Sequence, residues 1–170
     1  VIGCGTNAWM STSFNGSHVA LKFNENLYQS KSIKTFKESY SNSIRSMFHP
    51  AGTDMYSIGV HELGHAVEAW MIKKRSWFKS ESITDWNKCK TAKDIVSRAC
   101  KAAKKTPEGK GLKNLDLRKS ISRYALKTES ETIAEAFADY FYNGDDSRIL
   151  SREIIKIMKS DIKELEDSVL

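Results

Sequence analysis

The residues His61-Glu62-Leu63-Gly64-His65 combine two imidazoles and a carboxylate in a spacing that suits a metal ion. On an α-helix, positions i and i+4 lie on one face, so His61 and His65 can each offer a nitrogen to the same ion. Glu62 lies about 100° around the helix, where its carboxylate can reach a water on the open side of that ion. Zn²⁺ lowers the pKa of such a water to about 7, so Glu62 can accept its proton at neutral pH. The motif predicts a zinc-dependent hydrolase, and the alternative is a helix with two surface histidines.

A catalytic zinc site needs a third protein ligand and keeps its fourth position for water. No histidine follows His65, so the third ligand must be a carboxylate. Acidic residues recur at Glu131, Glu135 and Asp139 in a segment rich in Ala, Ile and Phe, where a buried carboxylate needs a partner. Either Glu131 binds the metal and Glu135 orients a ligand histidine, or Glu135 binds and Asp139 supports it. Spacing alone leaves both registers open, as well as an ordinary exposed acidic face.

These residues resemble the catalytic domains of the family of anthrax lethal factor and the Pro-Pro endopeptidases. The likeness lies in the motif 61–65, in Tyr124 and in the segment Glu131-x-x-Ala134-Glu135-Ala136-Phe137. In that family a tyrosine precedes the glutamate ligand by seven residues, as Tyr124 precedes Glu131 here. The resemblance implies that Glu131 is the ligand, that Glu135 supports a ligand histidine and that Tyr124 stabilises the oxyanion. A phenol with a pKa of about 10 remains a hydrogen-bond donor at neutral pH.

The likeness extends to lethal-factor-like domains carried on prophages, some of them at the C-terminal end of phage head morphogenesis proteins. It includes the stretch from Asn24 through Phe48-His49-Pro50-Ala51-Gly52 to the metal motif, and the stretch from Tyr124 to the last predicted helix. It implies a gluzincin-type, zinc-dependent endopeptidase with a zincin-like fold, a protein or peptide substrate and a secreted or phage-associated, toxin-like setting. Residues 72–115 resemble nothing in the family, so no substrate preference follows.

A second interpretation is a catalytically silent structural or interaction domain of a phage-derived protein, in which a metal only stabilises the fold. Glu62 favours the enzyme, because a structural metal site needs no general base. A third interpretation, a nucleic-acid-binding domain, would require basic residues interleaved with aromatics. The densest basic stretch, residues 73–79, directly follows a predicted helix, and cations favour helix C-termini. We therefore expect no nucleic-acid partner.

The hydrophobic pattern predicts an α+β fold in which a small sheet packs on a mainly helical body. Apolar residues alternate in residues 18–23, which predicts a strand, and a second strand is expected within residues 1–14. Apolar residues at helical spacing predict roughly six helices, among them those over 33–47, 54–73, 91–103, 130–142 and 148–167. Thr53 or Asp54 is expected to cap the metal-motif helix, and residues 76–90 are expected to form an irregular loop.

The predicted strand at residues 18–23 is also the candidate for substrate binding, with Val19, Ala20 and Leu21 as its central residues. An extended peptide can add to an exposed sheet edge through main-chain hydrogen bonds. The alternative is an interior strand, in which case the segment 76–90, with Trp77 and its aromatic neighbours, would receive substrate.

Length and composition limit the remaining possibilities. The chain has 170 residues, of which 40% are hydrophobic and 28% charged, with a net charge of +6, and this balance suits one globular domain over residues 1–170. No apolar run approaches the roughly 18 residues of a membrane helix, so we expect no membrane partner. Three cysteines are too few for a disulfide framework. Because the sequence begins at Val1 without an initiator methionine, we expect a domain excised from a longer protein.

Overall fold

The computed structural model describes residues 9–25 and 30–167, and in these residues it contains seven α-helices and one two-stranded sheet. The expected α+β class is therefore confirmed. The strands are β1 (Met10–Phe14) and β2 (Val19–Phe23), and the helices are α1 (Ser30–Arg45), α2 (Ser57–Arg75), α3 (Lys79–Lys88), α4 (Lys90–Ala103), α5 (Asn114–Ile121), α6 (Glu129–Asn143) and α7 (Ile149–Asp167). Among the described residues, none of the helices is both long and apolar enough to cross a membrane.

The two strands form an antiparallel hairpin in which Met10 pairs with Phe23 and Phe14 pairs with Val19. Asn15 stabilises the turn, because its side-chain oxygen accepts hydrogen bonds from the backbone N–H groups of residues 17 and 18 at 3.1 and 2.9 Å. Gly16 has a φ of +85°, a left-handed conformation that favours glycine. Strands were expected in both of these segments, and both strands are present.

Helices α2 and α6 cross at the centre of the molecule and carry most of the residues with potential chemistry. Gly64 lies at this crossing, where a Cβ atom would approach the Cα of Ala134 and the Cβ of Phe137 to 3.0 Å. The predicted boundary of α2 is wrong at its start, since the helix begins at Ser57 without a side-chain cap. Asp54 instead accepts a hydrogen bond from the N–H of Tyr56 at 2.9 Å in the turn that precedes the helix.

The hydrophobic core lies among α2, α4, α5, α6 and α7. The apolar residues whose spacing predicts the helix over 91–103 are buried there on α4, and they are Ala92, Ile95, Val96, Ala99, Cys100 and Ala103. Asp161 on α7 fixes α2 and α4 to this core by accepting hydrogen bonds from Arg75 and Arg98. Helix α6 ends at Asn143, and the residue that caps it, Gly144, has a φ of +54°.

The expected loop over residues 76–90 is wrong, because residues 79–88 form helix α3. The carboxylate of Glu81 accepts a hydrogen bond from the N–H of Phe78 at 3.3 Å and so satisfies a donor at the start of the helix. Trp86 packs edge-on against Phe14 at 5.7 Å between ring centroids, which fixes the helix against the hairpin. Tertiary contact with the hairpin thus favours a helix in a segment with little apolar periodicity. Helix α5 was also missed, and it buries only Leu117 and Ile121.

Candidate metal centre

Helices α2 and α6 bring three potential metal ligands together. One ligand atom from each of His61, His65 and Glu131 lies within 4.8 Å of the others, in a group that is buried or half-buried. An oxygen of Glu131 (Oε2) is 3.1 Å from Nε2 of His61 and 3.3 Å from Nε2 of His65. Ligand atoms at about 2.0–2.1 Å from a tetrahedral Zn²⁺ lie roughly 3.3 Å apart, and both distances from Glu131 are close to this value.

Without a metal, the same contacts make the cluster a network of ion pairs. Burial lowers the pKa of His61, but hydrogen bonds and charge from Glu131 and Glu135 outweigh burial and raise it to about 10. Burial raises the pKa of Glu131, but hydrogen bonds from His61 and His65 outweigh this and hold it far below the ordinary value of 4.5. A divalent cation would replace the histidine protons as the positive charge of this cluster.

Glu135 lies behind His61 and does not reach the ligand group. Its Oε1 atom accepts a hydrogen bond from Nδ1 of His61 at 2.8 Å, which leaves Nε2 of that ring directed at Glu131. Asp139, one turn further along α6, bonds with Asn143, Arg148 and Ser151 instead. Of the two registers left open by spacing, the structure therefore assembles the one with Glu131 among the histidines and Glu135 as the supporting carboxylate.

Glu62 is buried, with 7% of its surface exposed, and it lies beside the cluster at the edge of the hairpin. The hydroxyl of Thr12 on β1 donates to Oε2 of Glu62 at 2.6 Å and also lies 3.1 Å from its backbone oxygen. This contact holds the carboxylate in one orientation. Thr12 was missed by sequence reasoning, because nothing in the strand Met10–Phe14 distinguishes one hydroxyl residue from the next.

Tyr124 lies in a short 3₁₀ turn just before α6, with its ring 5.7 Å from that of His61. Burial raises the pKa of its phenol, and the nearby charges of Glu131 and Glu135 raise it further. The hydroxyl therefore keeps its proton at neutral pH and can donate a hydrogen bond. Lys127 lies over the same ring, with its Nζ atom 3.9 Å from the ring centroid.

His49 is a second residue of the site that sequence reasoning missed. Its Nδ1 donates to the same oxygen of Glu135 as His61 does, at 3.1 Å, and its ring stacks on Tyr40 at 5.1 Å. Burial raises the pKa of Glu135, but hydrogen bonds from His49 and His61 outweigh this and lower it to about 2. The available signal was that His49 is one of only four histidines in the chain and precedes Pro50 in the family-like segment.

Two cavities meet at His61, Glu62 and Tyr124. The first, of about 320 Å³, has a largely aromatic wall that includes Trp9 and Phe48. The second, of about 340 Å³, has a lining rich in hydroxyl groups, which includes Ser11, Thr12, Thr128 and Ser130. Strand β1 lines both cavities, through Met10 and its neighbours.

The candidate substrate residues Val19, Ala20 and Leu21 lie on β2 and line neither of these two cavities. Leu21 faces a separate apolar groove with Leu63 and Val60. Of the aromatic residues in the segment 76–90, Trp86 lines the hydroxyl-rich cavity, whereas Trp77 is 95% exposed. The strand beside the cluster is therefore β1, and substrate binding by β2 stays a prediction.

Comparisons with known proteins assign no relationship, since no protein-family model, curated protein or solved structure matches the chain. The function is therefore inferred from the chemistry of the site and from the resemblance of its motifs.

Proposed function

We propose that the chain is a zinc-dependent endopeptidase of the gluzincin type, with a zincin-like fold. The observation that supports this most directly is the cluster of His61, His65 and Glu131, with Glu62 and Tyr124 at its edge. A metal that only stabilises the fold needs its ligands, but neither a buried carboxylate beside them nor a phenol that keeps its proton. A zinc ion bound there would polarise the peptide carbonyl and lower the pKa of a water.

In this proposal Glu62 accepts a proton from the attacking water and delivers it to the leaving amine. The hydrogen bond from Thr12 fixes the carboxylate for both transfers. Tyr124 donates its phenol hydrogen to the oxygen of the substrate carbonyl as negative charge develops there. Glu135 holds the ring of His61 so that Nε2 stays in the ligand group.

The two cavities support a polypeptide substrate that continues on both sides of the cleaved bond. Because they meet at Glu62 and Tyr124, a peptide that occupies both would place one bond beside these two residues. The aromatic cavity suits a bulky apolar side chain, and the hydroxyl-rich cavity suits a small or polar one. The physiological setting, secreted or phage-associated, is proposed from the resemblance alone.

The test is a metal analysis combined with a peptide-library digest of the purified chain and its Glu62→Gln variant. We expect one zinc per chain in both proteins, and a loss of hydrolysis of roughly 10²–10⁴-fold in the variant, because an amide cannot accept the proton. Zinc bound without hydrolysis in either protein would favour the metal-stabilised structural domain. Equal turnover in the two proteins would refute the role of Glu62.

A further inference from the structure

A second buried carboxylate, Glu68, lies on the same face of α2 as the two histidines. It follows His65 by three residues and is completely buried, against α6. Its Oε2 atom is 3.9 Å from Nδ1 of His65, which is too long for a direct hydrogen bond. A fully buried carboxylate is costly unless a partner compensates it, so its immediate surroundings are informative.

The hydroxyl of Ser130 on α6 bridges this gap. It lies 2.5 Å from Oε2 of Glu68 and 3.1 Å from Nδ1 of His65. A hydroxyl has one hydrogen, and Ser130 donates it to Glu68. Its oxygen must then accept from Nδ1–H of His65. In a neutral ring this places the single proton on Nδ1 and leaves Nε2 able to bind a cation. Nε2 lies 3.3 Å from Oε2 of Glu131.

The other oxygen of Glu68 supports a role beyond packing. Oε1 is buried and has no hydrogen-bond partner among the described residues. An unsatisfied buried oxygen is a cost that a purely structural residue could avoid, for example as an apolar side chain. Negative charge behind a ligand histidine strengthens the histidine as a donor to a cation on its other nitrogen. A negatively charged Glu68 would therefore strengthen the binding of a metal ion by His65.

We propose that Glu68, acting through the hydroxyl of Ser130, is the positioning residue of His65. It fixes the ring and its Nδ1–H tautomer, as Glu135 does directly for His61 at 2.8 Å. Each ligand histidine thus has its own buried carboxylate, one on α6 and one on α2. This proposal rests on the proposed metal site, but it does not require that the protein cleaves peptides.

The chain offers a matched control in Ser151. Its hydroxyl also donates to a buried carboxylate, Asp139, at 2.7 Å, and neither residue contacts the candidate ligands. Ser130→Ala and Ser151→Ala therefore remove the same type of hydrogen bond, one beside the metal site and one away from it. Glu68→Gln keeps an acceptor for Ser130 but removes the negative charge.

The affinity of each protein for Zn²⁺ is measured by competition with a chromophoric chelator, and the Co²⁺-loaded proteins are compared by their visible absorption spectra. We expect Ser130→Ala and Glu68→Gln to weaken Zn²⁺ binding roughly 10–100-fold and to change the Co²⁺ spectrum. Ser151→Ala should retain both properties of the unmodified protein, even if it unfolds at a lower temperature.

Wild-type affinity and an unchanged spectrum in Ser130→Ala would overturn the proposal, as would equal losses in Ser130→Ala and Ser151→Ala. If Glu68→Gln fails to fold, Ser130→Ala alone decides. Absence of metal binding in the unmodified protein would overturn both this proposal and the metal site. Metal binding without peptide hydrolysis would refute only the proposed enzyme and leave the role of Glu68 measurable.

Discussion

Replacing Gly64 by alanine should disturb the helix crossing that assembles the metal centre. The added Cβ would lie 3.0 Å from the Cα of Ala134 and from the Cβ of Phe137. Comfortable contacts between carbon atoms are about 3.5–4.0 Å, so α2 and α6 must separate by roughly 0.5 Å. Because His61 and His65 lie on one of these helices and Glu131 on the other, the same movement enlarges the ligand group.

The magnitude follows from two opposing terms. Forcing a methyl group into a packed contact costs about 1–3 kcal/mol, whereas replacing glycine by alanine within a helix contributes up to about 1 kcal/mol of stability. Gly59, on the same helix, has no heavy atom within 4 Å of its would-be Cβ, so Gly59→Ala shows the second term alone. The free energies of unfolding of the two variants should therefore differ by about 1–3 kcal/mol, with Gly64→Ala the less stable.

The assay is urea unfolding followed by circular dichroism in the presence of a chelator, together with separate Zn²⁺ titrations of the two metal-free variants after the chelator is removed. In thermal unfolding the difference corresponds to roughly 3–10 °C for a domain of this size. Gly64→Ala should also bind Zn²⁺ more weakly than Gly59→Ala. If the two variants are equally stable and bind the ion equally well, the crossing at Gly64 does not determine the geometry of the site.

Two further predictions concern the carboxylates of the site and of the core. Glu131→Ala should lose more Zn²⁺ affinity than Glu135→Ala, because only Glu131 lies in the ligand group. For Glu135→Ala we expect a loss of roughly 10–100-fold. If competition with a chelator gives the reverse order, Glu135 is the ligand. Asp161→Asn should lower the free energy of unfolding by about 1–3 kcal/mol at pH 7, because Asp161 is buried against Arg75 and Arg98. The control is Asp94→Asn, which removes an exposed partner of Arg98 and should lower the free energy of unfolding by less than about 0.5 kcal/mol. Burial raises the pKa of Asp161, but hydrogen bonds from the two arginines outweigh it and hold that pKa below 3.8, so the stability is present above pH 3.8 and is lost as the pH falls through the lower folded value. Urea titrations from pH 7 to pH 3 should show the Asp161 difference shrink, and a difference independent of pH would contradict the ion pairing.

Features that depend on neighbouring residues along the chain could be predicted. Alternation identified β2, and apolar spacing identified the buried stripe of α4, because each pattern reflects one face of one element. Segment boundaries were less accurate. Helix α3 was missed because its stability includes a contact between Trp86 and Phe14, which are far apart in the sequence.

The sequence by itself determined that His61, Glu62 and His65 share one helix and that a distant carboxylate must complete any metal site. The choice between Glu131 and Glu135 required the crossing of α2 and α6, which sets which turn of α6 faces the histidines. The contacts of Thr12 with Glu62 and of Ser130 with Glu68 were likewise decided only by tertiary structure. The two residues of each contact lie 50 and 62 positions apart in the sequence, respectively. Helical or strand periodicity carries no information about contacts over such separations.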